Sequence, residues 1–211
     1  MGLAIPLGKI MNATTTQSAL YFQLLYALHD QPLGRRTLVE KTGITEMTVR
    51  THLNKLRDAG LVSMAKSGTE LTDKALNGFG EILGAIDKVA EVSIEPLSLS
   101  TANVAAHIQG HAEAADRTLH FRDAAVRAGA TGAILLIWDG EGWSFSEDAD
   151  ALRENNPRER DLLSAQFEGR SGDVLVIAFG STMPIAQAGL WNVIAEMMPI
   201  DLEKTIQKES E

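Results

Sequence analysis

The sequence predicts an α+β chain of two domains, a helical N-terminal domain closed by a short β-hairpin and then a small α/β sandwich. Three observations carry this. Apolar residues recur at helical spacing from about residue 16 to residue 90, with a glycine turn at Thr42-Gly43-Ile44 between two short helices. Two strand-like pieces flank Ser67-Gly68. Beyond Pro96 strands and helices alternate, and Ala133–Trp138 and Val174–Phe179 are continuous apolar runs typical of buried strands. With 211 residues, 45% of them hydrophobic and 22% charged, both halves can bury a core. The expected division is 1–72, a connector helix at 73–92, the sandwich at 93–200 and a polar tail at 201–211.

Taken in order, Thr16 to His29 reads as the first helix, with Leu20, Leu24, Leu25 and Leu28 on one face. Asp30-Gln31-Pro32-Leu33-Gly34 breaks it. Arg35 or Arg36 opens a second helix that turns Leu38 and Val39 inward and stops at Gly43. Thr45 is placed to cap a third helix, Glu46 to Ala59, whose inward residues are Val49, Leu53 and Leu56. Gly60 ends it, and the hairpin follows. This is a helix-turn-helix with a wing, a geometry that presents its last helix to the DNA major groove.

The outward face of the third helix then carries Glu46, Met47, Thr48, Arg50, Thr51 and Asn54. Arg50 and Asn54 are the candidates for reading base edges, because their side chains offer paired hydrogen-bonding groups. Thr48, Thr51, Lys55 and Arg57 are candidates for the phosphate backbone, and Arg35, Arg36, Thr45, Met47 and the wing-tip Lys66 complete the expected DNA-binding set. The net charge of −9 does not oppose this. Residues 1–75 carry +3 and the remainder −12, so the positive end coincides with the winged helix. A winged helix that binds only protein is the alternative.

The stretch Arg36-Thr37-Leu38-Val39-Glu40-Lys41-Thr42-Gly43-Ile44-Thr45, followed by Val49 to Leu56, resembles the DNA-reading unit of prokaryotic winged-helix regulators. Gly60-Leu61-Val62 through Lys74 is similar to the wing and exit segment of the same superfamily. The likeness covers about a quarter of the chain and is specific for the fold, not for one operator.

Asp73 to Ala90 reads as a helix with Leu76, Phe79, Leu83, Ile86 and Val89 along one stripe. Either it pairs with its counterpart in a second subunit or it lies back on its own first helix. A homodimer is expected, since one recognition helix rarely supplies enough affinity.

In the second domain, Val104–Ile108 reads as a strand and Ala114–Ala128 as a helix. Ala133–Trp138 is a strand, Asp139-Gly140-Glu141-Gly142 a hairpin turn and Trp143–Phe145 its return. Arg158–Phe167 is a helix and Val174–Phe179 a strand. A last helix runs from Ile185 to Met198, with Ser181-Thr182 before it and Pro184 in its first turn. This succession is that of a ferredoxin-like sandwich with an added helix. Phe121 to Ala133 resembles a stretch of two-domain archaeal winged-helix proteins whose second domain is uncharacterised. The resemblance implies a transcriptional regulator with an effector domain, and it brings no ligand residues.

Three features of this domain are candidate sites. Gly180-Ser181-Thr182 stands between a strand and a helix, where free amides and hydroxyls can hold a phosphate or carboxylate, or serve as an ordinary N-cap. This is the expected ligand site, for a small and anionic effector. His107, His111 and His120, with Glu113 and Asp116, could make a metal-responsive regulator, although their spacing matches no defined metal motif. Trp138, Trp143 and Trp191 either wall an apolar pocket or build core.

Other classes are excluded or unsupported. The chain has no cysteine, which removes disulfides, thiolate–zinc sites and cysteine catalysis. No apolar run approaches the roughly 20 residues needed to span a bilayer. With no Walker loop, GxGxxG or HExxH, neither an enzyme nor a bound cofactor is expected. A cytoplasmic regulator that binds double-stranded DNA, repressor or activator, is the expectation.

Overall fold

The computed structural model describes residues 7–198 and Leu202, with the backbone alone for 7–16 and the backbone of Pro96. The expected tail at 201–211 lies, apart from Leu202, outside the described residues. The described chain forms two compact units. One holds the segment up to Leu83 together with the end of the last helix from Ile194, and the other holds Gly84–Val193.

The first unit contains α1 (Leu7–Leu28), α2 (Arg35–Thr42), α3 (Glu46–Asp58), the hairpin β1 (Val62–Ala65) and β2 (Gly68–Leu71), and α4 (Asp73–Ala85). The first helix starts nine residues before the Thr16 read from sequence, because a run of threonines of modest helix propensity hid its beginning. Its core side is also broader than a single stripe. Tyr21, Phe22 and Gln23 are buried beside Leu24, Leu25 and Leu28. The Gln23 side chain donates to the Thr42 carbonyl, 2.8 Å away, which ties α1 to the end of α2.

Between α2 and α3 the chain turns at Gly43, whose φ of 66° lets its N–H reach the Val39 carbonyl. The side chain of Thr45 then accepts from the Thr48 amide and starts α3. Val49, Leu53 and Leu56 face the core as the periodicity requires, and His52 joins them. Its ring meets Tyr21 edge-on at 5.1 Å while Nδ1 bonds the Thr48 carbonyl oxygen.

The hairpin pairs Val62 with Leu71 through to Ala65 with Gly68, leaving Lys66-Ser67 as a two-residue tip. Leu33 adds a third, minimal strand. Its amide donates to the Thr69 carbonyl at 2.9 Å and its carbonyl accepts from the Thr69 amide at 2.8 Å. Gly68 makes this approach possible, since a Cβ there would lie 2.9 Å from the Leu33 carbonyl carbon and oxygen.

The helix expected to run to Ala90 ends at Ala85, and Ile86–Glu91 is a strand, β3. Gly78, Gly80 and Gly84 weaken the helix. Ile86 and Val89, which fit helical spacing, also fit a strand, and pairing with a neighbouring strand decides between them.

The second unit is built on a five-stranded sheet in the order β3-β4-β7-β5-β6, antiparallel at every pairing. Its further elements are β4 (Ala102–Ile108), α5 (Thr118–Arg127), β5 (Gly132–Trp138), β6 (Trp143–Ser144), α6 (Ala149–Asn155), α7 (Pro157–Gln166), β7 (Val174–Gly180) and α8 (Met183–Met197). The β-α-β-β-α-β succession is present, but the last strand lies in the middle of the sheet. A ferredoxin-like sheet places its first and third strands there, so the fold is an α/β sandwich of different strand order.

Every residue of β7 is buried, so both faces of the sheet are covered. Leu175, Ile177 and Phe179 point to one face and pack with Leu136, Trp143, Leu152, Leu163 and Phe167. On the other face the small residues Ala125, Ala130, Ala178 and Gly189 let α5 and α8 approach closely. Trp143 is the centre of the first layer. Its ring stands edge-on to Trp138 at 5.4 Å and its indole N–H donates to the Phe167 carbonyl at 2.9 Å. Trp143 and Trp191 are therefore core, and the half-buried Trp138 packs against it.

Candidate nucleic-acid interface

The residues of α3 that the core does not use form one stripe. Met47, Arg50, Thr51 and Asn54 stand at i, i+3, i+4 and i+7, and Met47 is 80% exposed. Thr45 and Thr48 are occupied with each other at the helix start, their hydroxyls 2.9 Å apart. Thr51 donates its hydroxyl to the Met47 carbonyl. Their side chains are therefore partly committed to the helix, which leaves the exposed Arg50 and the half-buried Asn54 as the stripe's uncommitted polar groups.

The flanking cations divide in two. Arg36 pairs with Glu40 at 3.1 Å, and Arg57 pairs with Asp58 at 2.7 Å. Both pairs are solvent-exposed and so weak that a phosphate can replace the carboxylate. Arg35 stands 4.0 Å from Glu46, a looser pair. Arg50, Lys55 and Lys66 are exposed and have no partner among the described residues.

The tertiary fold adds a feature that linear reading missed. A cleft of about 240 Å³ opens between the start of α2, the side of α3 and the wing, lined by Arg35, Arg50, Asn54, Met64, Lys66 and Thr69. Three cations from three elements therefore converge on one recess, which suits an anionic backbone lying between recognition helix and wing. Met64, 39% exposed on β1, is a second apolar group there that the sequence did not single out.

The second unit's candidates are placed differently. Gly180 is buried and covered by α8, because a Cβ on it would lie 2.5 Å from the Ala186 nitrogen. Ser181 and Thr182 are exposed, and Thr182 accepts the Ala186 amide with its backbone carbonyl. The Ser181 carbonyl accepts from the Thr101 hydroxyl. Thr101 in turn lines a shallow cleft of about 460 Å³ with Glu91, Glu95, Ser93, Ser98, Ser100 and Asn103. Two carboxylates and no cation line it, so the adjoining cleft does not favour an anion.

The three histidines are not brought together. His111 bonds the Gln109 carbonyl, and His120 stands edge-on to Phe121. His107 is buried on β4 and fully engaged. Its Nδ1 lies 3.2 Å from Asp87, the residue at the β-bulge of β3, and its Nε2 lies 2.9 Å from Asp173. Burial raises the Asp173 pKa, but the His107 hydrogen bond, the Gly110 and Arg170 amides and the His107 charge outweigh it, holding the carboxyl below its ordinary value. Asp139 is held low in the same sense. Burial again opposes, and the Glu141 and Gly142 amides and Arg160 prevail. Among the described residues no group of three or more histidines and carboxylates is arranged to hold a metal ion.

Two family models match separate parts of the chain. Residues 21–84 match the family model of the CggR N-terminal DNA binding domain, and residues 99–197 match a domain of unknown function, DUF4443. The first unit is thus a DNA-binding domain of the winged-helix regulator type. The fold of most of the chain is shared by a hypothetical protein from Pyrococcus horikoshii OT3. That protein is 22% identical, with a TM-score of 0.69, over 92% of this chain and 98% of the other. Comparison with curated proteins returns no match. Among the described residues no helix is long and apolar enough to cross a membrane.

Proposed function

We propose that the chain is a sequence-specific transcriptional regulator of the archaeal two-domain type, acting in the cytoplasm as a homodimer. The observation that carries this is the unobstructed stripe of Met47, Arg50, Thr51 and Asn54 beside a cleft walled by Arg35, Arg50 and Lys66. In this reading α3 enters the major groove, Arg50 and Asn54 meet base edges, and Lys55, Lys66 and the displaced arginines hold phosphates. Two copies read half-sites about 10 bp apart or a multiple of that. The second unit is a sensing or dimerisation module rather than an enzyme, and it acts by favouring one of two dimer arrangements when a small molecule binds.

The test uses the purified full chain and its own upstream DNA. Arg50→Ala is expected to weaken binding by about 1–3 kcal/mol and to relax one base position, while Lys66→Ala weakens all sequences alike and lowers the salt dependence. Equal loss on every sequence for Arg50→Ala would remove it from base reading. No retention on DNA at low salt would overturn the regulator reading in favour of a protein-binding adaptor.

A further inference from the structure

We infer that the outer face of α5 is a self-complementary surface through which two copies of the chain associate about a two-fold axis. Helix α5 buries Phe121, Ala124 and Ala125 against its own unit. The opposite side presents Leu119, Arg122, Asp123 and Val126 at i, i+3, i+4 and i+7, all of them exposed. Leu119 is 71% and Val126 45% exposed, so the face carries an apolar side chain at each end of its charged pair. Neither Arg122 nor Asp123 has a partner among the described residues.

The order of these four residues selects the occupant. When two such helices lie antiparallel about an axis between Arg122 and Asp123, Leu119 of one copy meets Val126 of the other, and Arg122 meets Asp123. All contacts then occur twice, apolar against apolar and cation against anion, as an isologous interface requires. A different partner would need no such symmetry. Leu99 widens the patch. Its Cδ1 and the Arg122 Cγ lie 3.6 and 3.8 Å from where Gly132 would carry a Cβ, so both border the same edge of the surface.

The connector helix α4 is a poorer candidate, because Ala75, Phe79 and Leu83 are already buried within one chain. One pair of ten-residue helices is a small contact beside the roughly 1,200 Å² of stable interfaces, so the dimer is expected to be weak and concentration-dependent. Adjacent half-sites on DNA would reinforce such a contact.

The inference deepens the dimeric part of the proposed function and is tested without DNA, so its failure leaves the Arg50 experiment untouched. Sedimentation velocity of the full chain over a wide concentration range is expected to show a reversible dimer. Arg122→Asp sets two carboxylates across the axis and Asp123→Arg two cations, and each should weaken association by roughly tenfold or more. Combining both changes restores the complementary pair and should return association to near the starting value. Circular dichroism verifies that each variant keeps its helix content. A chain that remains monomeric throughout would overturn the inference and leave the face to another partner. A dimer indifferent to either single change, or not recovered by the double one, would also overturn it.

Discussion

Replacing Gly68 with alanine tests how the wing is held to the recognition unit. Gly68 has a φ of 136°, a conformation that side-chain-bearing residues rarely adopt, and strain of this kind costs about 1–3 kcal/mol. The added methyl would also lie 2.9 Å from both the carbonyl carbon and oxygen of Leu33, and these are backbone atoms that cannot turn aside. The hairpin must therefore move away and lose the two Leu33–Thr69 hydrogen bonds, worth about 0.5–1.5 kcal/mol each. Together these effects give a loss of about 2–6 kcal/mol, confined to the first unit. Amide hydrogen exchange followed by mass spectrometry is the direct assay, with faster exchange expected at Leu33 and Thr69 and unchanged protection in β7. DNA affinity should fall with it, because Lys66 is displaced from the cleft it shares with Arg35 and Arg50. Unchanged exchange at Leu33 and Thr69, with stability within about 0.5 kcal/mol of the parent, would refute the reasoning.

Two predictions concern the second unit, whose unfolding can be followed by tryptophan fluorescence because Trp138, Trp143 and Trp191 all belong to it. The lowered pKa of Asp173 means that the folded state favours its carboxylate. Its stabilisation is present above the unfolded carboxyl pKa of about 3.9 and is lost as pH falls through the lower folded value. One such group adds a slope of at most about 1.4 kcal/mol per pH unit, and urea midpoints from pH 6 down to 3 should be flatter for Asp173→Asn than for the parent. Trp143→Phe should destabilise the unit by about 2–4 kcal/mol, since it opens a void in the core and leaves the buried Phe167 carbonyl without its donor. A urea midpoint unchanged from the parent would show that the indole N–H is replaceable there.

Much of the DNA-binding unit was legible because its signals are local. Thr45 as a cap, Gly43 as a stop, and the inward spacing of Val49, Leu53 and Leu56 are set by residues within one or two turns of each other. The outward stripe of α3 followed directly from them. The cleft was not legible, because Arg35, Arg50 and Lys66 come from three elements and meet only when the wing folds beside α3. In the second unit α6 escaped notice although Asp148 caps it with two hydrogen bonds to following amides. That acidic cap was a usable signal, obscured by the charged loop around it.

The sequence by itself determined the local conformations, the two-part organisation and the face that α3 leaves free, since each depends on neighbours a few residues apart. Tertiary structure alone decided that Ile86–Glu91 is a strand, that β7 occupies the centre of the sheet, and that His107 is fixed between Asp87 and Asp173. In each of these cases the partner is remote along the chain. Hydrogen bonds between strands and the burial of polar groups against one another take effect only after those distant segments have met, so no periodicity within either segment records the outcome.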